Sequence, residues 1–157
     1  MAHTPSGAAL MELTRHVQQL ASLLAEAEDR LAAPSGQTGA RAAVLACADP
    51  QPQTVAAVAR GLGLTRQSVQ RTADLLVADE LAEYRPNPEH RRAKLLGLTP
   101  AGQRTLTAIE AAQAAWANRL AADLDEHLDE RELRRISVGL AQLTRRLAQR
   151  RGATQPR

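Results

Sequence analysis

Leu10, Leu13, Val17, Leu20, Leu24, Ala27 and Leu31 recur at alternating spacings of three and four. That period predicts one helix over residues 8–33 with its apolar side chains in a heptad stripe. The stripe suits dimerisation; a long helix crossing a monomeric bundle is the alternative. Residues 1–7 (MAHTPSG) read as a disordered lead, and PSGQTG (34–39) as a linker with Thr38 as a possible cap. Residues 40–48 make a short alanine-rich helix that DPQPQ (49–53) breaks. Thr54 then caps a second short helix, Gly61-Leu62-Gly63 turns the chain, and Thr65 caps a third helix over about 65–78. The third helix turns Val69, Ala73, Leu76 and Val77 inward, and Ala57 marks its crossing with the second.

The period then changes. Leu81, Glu83 and Arg85 alternate with Ala82 and Tyr84, the turn-rich RPNPEHRR follows, and KLLGLT returns as a strand. Pro86 and Pro88 exclude a helix, so residues 81–98 form a hairpin with a long tip. Thr99 and Pro100 restart a helix, and Leu106, Ile109, Gln113, Trp116 and Leu120 share one of its faces. A last helix carries Leu133, Ile136, Leu140, Leu143 and Leu147, and residues 151–157 form a basic tail.

Composition sharpens this order into a fold class. The chain has 157 residues, no phenylalanine, one tyrosine and one tryptophan. With so few aromatic side chains, alanine and leucine must fill the core, which favours closely packed helices. The fold class is mainly α with a small β-hairpin wing. Cys47 is the only cysteine, which excludes an internal disulfide or a cysteine metal cluster. It reads as a small buried hydrophobe, with redox sensing the alternative. There is no signal-peptide pattern and no long uncharged apolar run, so a cytoplasmic protein without a membrane partner is expected.

Residues 54–77 carry the functional signal. Two short helices joined by a glycine turn form a helix-turn-helix, whose second helix enters a major groove. Behind the Thr65 cap, that helix exposes Arg66, Gln67 and Ser68, then Gln70 and Arg71. Glutamine pairs with adenine, arginine with guanine or phosphate, and serine with either kind of partner. No acid occurs from Thr65 to Arg71; acids return at Asp74 and Asp79. The hairpin tip adds Arg85, His90, Arg91, Arg92 and Lys94 against Glu89, a set suited to phosphate or a narrow minor groove. Thr65, Arg66, Gln67, Ser68, Gln70, Arg71, Arg91, Arg92 and Lys94 are therefore the candidate DNA-binding residues. A solvated helix face and a solvated loop are the bland readings of the two segments taken singly.

These residues resemble the MarR family of winged helix-turn-helix transcriptional regulators. Leu64, Thr65, Arg66, Gln67, Val69 and Arg71 match its recognition-helix pattern. His90, Arg91, Arg92, Leu95, Leu96, Leu98, Thr99 and Gly102 match the end of its wing and the following Leu-Thr-x-x-Gly. His90 stands where the family commonly has an aspartate that braces the wing arginine, and Glu89 is the candidate substitute. The resemblance implies a DNA-binding lobe over 36–98, with residues 8–33 and 99–150 interlocking as dimerisation helices. It implies a homodimer on a pseudopalindromic operator, repression, and release by a small-molecule effector held between the dimer helices and the DNA-binding lobe.

Arg15, His16 and Trp116 are the distinctive effector candidates. A surface ion pair with Glu12 is the other reading of His16, and packing the other reading of Trp116. The acids from Asp123 to Glu130 read as a solvated turn, without the glycine and spacing of a calcium loop. No catalytic motif or cofactor motif occurs, so no enzyme and no cofactor are expected. The alternatives are a helical protein-interaction module and a nonspecific architectural DNA-binding protein.

Overall fold

The computed structural model describes residues 4–90, 92–124 and 128–153. Among the described residues, six α-helices and three strands follow in order: α1 (Pro5–Ala32), extended by a short 3-10 turn (Ala33–Ser35), α2 (Gly39–Cys47), β1 (Gln53–Thr54), α3 (Val55–Leu62), α4 (Arg66–Ala78), β2 (Ala82–Arg85), β3 (Leu95–Leu98), α5 (Pro100–Leu124) and α6 (Glu130–Ala153). Helices α1 to α5 each start behind a threonine. The hydroxyls of Thr4, Thr38, Thr54, Thr65 and Thr99 accept from the amides three residues on, at 3.0–3.3 Å. Each satisfies one of the donors that a helix start leaves without an intrahelical partner.

The chain divides into two compact units, Met1–Gln113 and Ala114–Arg157, and α5 contributes to both. In the first, Leu45 from α2, Val58 from α3, Val69 and Leu76 from α4, Leu96 from β3 and Leu106 from α5 close one core. Burying side chains of this size stabilises the unit by roughly 1.5–3 kcal/mol each. Ala32, Ala42 and Ile109 form a smaller cluster joining α1, α2 and α5. In the second unit, Asp129 and Glu132 exchange hydrogen bonds with each other's backbone amides at 2.8 and 3.4 Å. This capping box gives two of the acids near the turn a structural role at the start of α6.

The sheet has the order β1-β3-β2 and is antiparallel throughout. Tyr84 lies opposite Leu96, and Arg85 opposite Leu95, in the hairpin. β1 adds Gln53 opposite Leu96 on the other side of β3. The sheet lies beside the helix-turn-helix because β1 runs directly into α3 and β2 follows α4 after a short turn.

Two expectations need correction. The lead over 1–7 is shorter: Pro5 already begins α1 behind Thr4, and residues 1–3 lie outside the described set. A proline at the first helical position starts a helix rather than preventing one. The tail over 151–157 is helical as far as Ala153, with the rest outside the described residues. Among the described residues, no helix is long and apolar enough to cross a membrane.

Candidate nucleic-acid interface

α4 has two chemically distinct sides. Val69, Ala73 and Leu76 are fully buried, while Arg66, Gln67, Ser68 and Arg71 are exposed. The turn before it is set by Gly63, whose φ of 67° closes α3 with the Leu64 amide donating to the Ala59 carbonyl at 2.9 Å. Thr65 then caps α4 through the Ser68 amide at 3.1 Å. No acid lies in the first turn of α4, so the helix dipole and Arg66 both favour an anion there.

Arg66, Gln70, Tyr84, Arg92 and Lys94 come together around one cleft of about 390 Å³, which Val55 and Ala56 at the start of α3 also line. Among the described residues, none pairs with Arg66, Gln67, Arg71, Arg92 or Lys94. Arg91 lies outside the described residues.

Gln70 differs from its neighbours. Its amide nitrogen donates to Asp74 Oδ1 at 2.9 Å and to the Tyr84 hydroxyl at 2.7 Å. The hydroxyl in turn donates to Asp74 Oδ1 at 2.8 Å. Burial, followed by the bond to Asp74 and its negative charge, pushes the Tyr84 phenol up from 10.0 to about 12. Neither Asp74 nor Tyr84 is among the interface residues that the sequence pattern predicts. The helical spacing of four from Gln70 to Asp74 was a signal for one bond; that from β2 was not.

The wing also departs from expectation. Arg85 is not part of the basic tip: its guanidinium pairs with Glu83 at 2.7 Å and donates to the Leu98 carbonyl at 3.3 Å. The tip is shaped by Asn87, whose side chain accepts from the Glu89 amide at 3.0 Å. Glu89 itself forms no ion pair among the described residues.

A second cavity, of about 370 Å³, opens between α1, α2 and the first part of α5. Ala42, Ala46, Cys47, Leu106 and Ile109 make its apolar wall, with Glu28 and Glu110 at its margin. Arg15, His16 and Trp116 do not line it. Arg15 and His16 are exposed on α1, Trp116 is half-buried in the second unit, and the expected Glu12–His16 pair is not formed. Cys47 is half-buried against the core, and its carbonyl accepts from the Gln53 side chain at 2.8 Å.

Comparison with known proteins agrees with this geometry. A family model described as the MarR family matches residues 36–93. The uncharacterized protein Rv2011c of Mycobacterium tuberculosis is 41% identical over 134 residues, covering 83% of this chain and 94% of that protein. The crystal structure of the MarR family transcription regulator SP03579 superposes with a TM-score of 0.74 at 27% identity, covering 90% of this chain and 91% of that one. CouR, a transcriptional repressor solved bound to a 23-mer DNA duplex, shares the fold with a TM-score of 0.72 at 24% identity, over 91% of this chain and 99% of its own. The chain belongs to the MarR family of winged helix-turn-helix transcription regulators, which are DNA-binding homodimers and not enzymes.

Proposed function

We propose that this protein is a sequence-specific repressor that acts in the cytoplasm and binds a pseudopalindromic operator as a homodimer. The observation that carries this reading is a set of cations and polar side chains on one side of the first unit that have no partner among the described residues. Arg66, Gln67, Ser68 and Arg71 present the exposed first turns of α4, and Arg92 and Lys94 line the adjoining cleft on the wing. Thr65 orders the start of the reading helix, and Gln70 adds an amide whose orientation is preset. Arg91, the sequence neighbour of Arg92, belongs to this proposal by its charge and position in the sequence alone. In a two-fold dimer the two α4 helices meet successive major grooves about 34–36 Å apart. The dimer contacts come from residues 8–33 and 99–150, and a bound operator excludes polymerase. CouR on its duplex is a precedent for this fold holding DNA.

Release by a small molecule is part of the same proposal. The cavity between α1, α2 and α5 touches both the long first helix and the core behind the helix-turn-helix. A ligand preferring one spacing of these elements would shift the population of DNA-competent dimers. Arg15, His16 and Trp116 belong to this proposal only as contacts made in the assembled dimer.

Selection from a randomised duplex library tests the reading. Recovery of a two-fold symmetric site bound about 10³-fold tighter than a scrambled duplex is the expected result. Arg66→Ala, Arg71→Ala and Arg92→Ala together should abolish this preference in a protein that remains folded and dimeric. Equal affinity for every duplex, collapsing with salt, would instead mean a nonspecific architectural protein. No binding at low or high salt would favour a protein-interaction module.

A further inference from the structure

The interface contains one side chain whose chemistry is already committed before any partner arrives. Asp74 is a carboxylate and only accepts, so both of its neighbours in the network must donate to it. The single hydroxyl hydrogen of Tyr84 goes to Asp74 at 2.8 Å, leaving the phenol oxygen only lone pairs for Gln70. The amide of Gln70 therefore turns its nitrogen to both groups, at 2.9 and 2.7 Å. A flipped amide would set Oε1 against a carboxylate and a phenol lone pair. The raised phenol pKa, about 12, keeps the Tyr84 hydrogen in place at any pH where DNA binding is measured.

We infer that Tyr84 and Asp74 are positioning residues that make Gln70 a hydrogen-bond acceptor and thereby set base preference at one position of each half-site. The inference rests on the reading of α4 as the recognition helix. In the major groove, adenine N6 and cytosine N4 donate, whereas guanine and thymine offer acceptors only. An amide with its nitrogen held by the protein and Oε1 free of the network meets the first pair and rejects the second. Among the described residues, none restrains Arg66, Gln67 or Arg71 in this way. Because Tyr84 stands on β2, opposite Leu96 of β3, the wing itself sets the reading chemistry of the helix.

The test is duplex selection with the full-length protein and three variants, followed by affinity against salt. Wild type should enrich adenine or cytosine at one position per half-site, and Gln70→Ala should erase that preference. Tyr84→Phe should weaken discrimination there by about tenfold, the scale of one amide–base contact. Preferences elsewhere and the salt slope should not change. Asp74→Ala cuts the network from the other side and should relax the same position. The inference is overturned if guanine or thymine is enriched there, if Gln70→Ala changes no position, or if both Tyr84→Phe and Asp74→Ala keep wild-type preference. Affinity lost evenly at all positions would also overturn it, because that marks a purely structural role. Failure of the wild type to select any two-fold site would defeat the regulator reading as well, and so is distinguishable from these results.

Discussion

Gly63 and Glu80 occupy equivalent positions at two successive helix ends. Both are left-handed, with φ of 67° and 58°. In each case the next amide reaches back to close the helix, Leu64 to Ala59 and Leu81 to Leu76, both at 2.9 Å. Glycine adopts that conformation without penalty, whereas a side chain costs about 1–2 kcal/mol there. Glu80→Gly should therefore raise stability by up to about 1 kcal/mol after the extra chain entropy of glycine is subtracted. Denaturant titration with no increase would show that the Glu80 backbone is held by other means. Gly102 is governed by space. A Cβ there would stand 1.9 Å from the Leu81 carbonyl oxygen, so Gly102→Ala should cost about 3 kcal/mol or more. A thermal midpoint equal to wild type would contradict this close approach.

Tyr84 adds a pH dependence. Its pKa is about 12 in the folded chain against 10.0 for the free group. The folded state thus favours the protonated phenol. Its contribution is complete below pH 10 and is lost as pH rises toward 12. Tyr84→Phe should flatten the loss of stability in that window relative to wild type, measured by denaturant unfolding at fixed salt. Parallel curves would mean that the hydroxyl is not held as described.

At the scale of elements, the threonine caps were legible because capping needs only a local pattern: a hydroxyl followed by a helical period. Thr38, Thr54, Thr65 and Thr99 all cap where expected. The buried positions of α4 were legible for the same reason, since Val69, Ala73 and Leu76 repeat at spacings of four and three. β1 was not. A strand of two residues has no period to read, and Gln53 and Thr54 are extended because β3 pairs with them. Arg85 is not legible as a paired residue because charge along the chain does not show cross-strand or next-but-one partners. Its pair with Glu83 depends on the strand placing alternate side chains on one face.

The molecule as a whole carries an apolar surface that a single chain does not cover. Leu10, Leu13, Leu20 and Leu24 on α1 are 37–50% exposed. On α6, Ile136 and Leu147 are 47% and 57% exposed. A homodimer requires such surfaces, and the heptad spacing on α1 fits a helical contact. Replacing Leu20 and Leu24 with glutamate should yield a monomer by light scattering and lower operator affinity at least tenfold, because two half-sites no longer bind together. A dimer that persists in this variant would assign the interface to other surfaces.

Local periodicity, turn residues and the absence of acids along the first turns of α4 determined much from sequence alone. They determined the order of the major helices and the hairpin, the helix-turn-helix, and the cations Arg66 and Arg71 on its outer face. These are properties of neighbours along the chain, where helical and strand periods translate directly into faces. The tertiary structure decided what depends on residues far apart in sequence meeting in space. It joined Tyr84 to Asp74 and Gln70, withdrew Arg85 from the basic tip, and brought Arg66 beside Arg92 and Lys94. It also opened a cavity that Arg15, His16 and Trp116 do not line. Hydrogen bonds and ion pairs act over a few ångströms, so their partners are chosen by packing and not by position in the sequence.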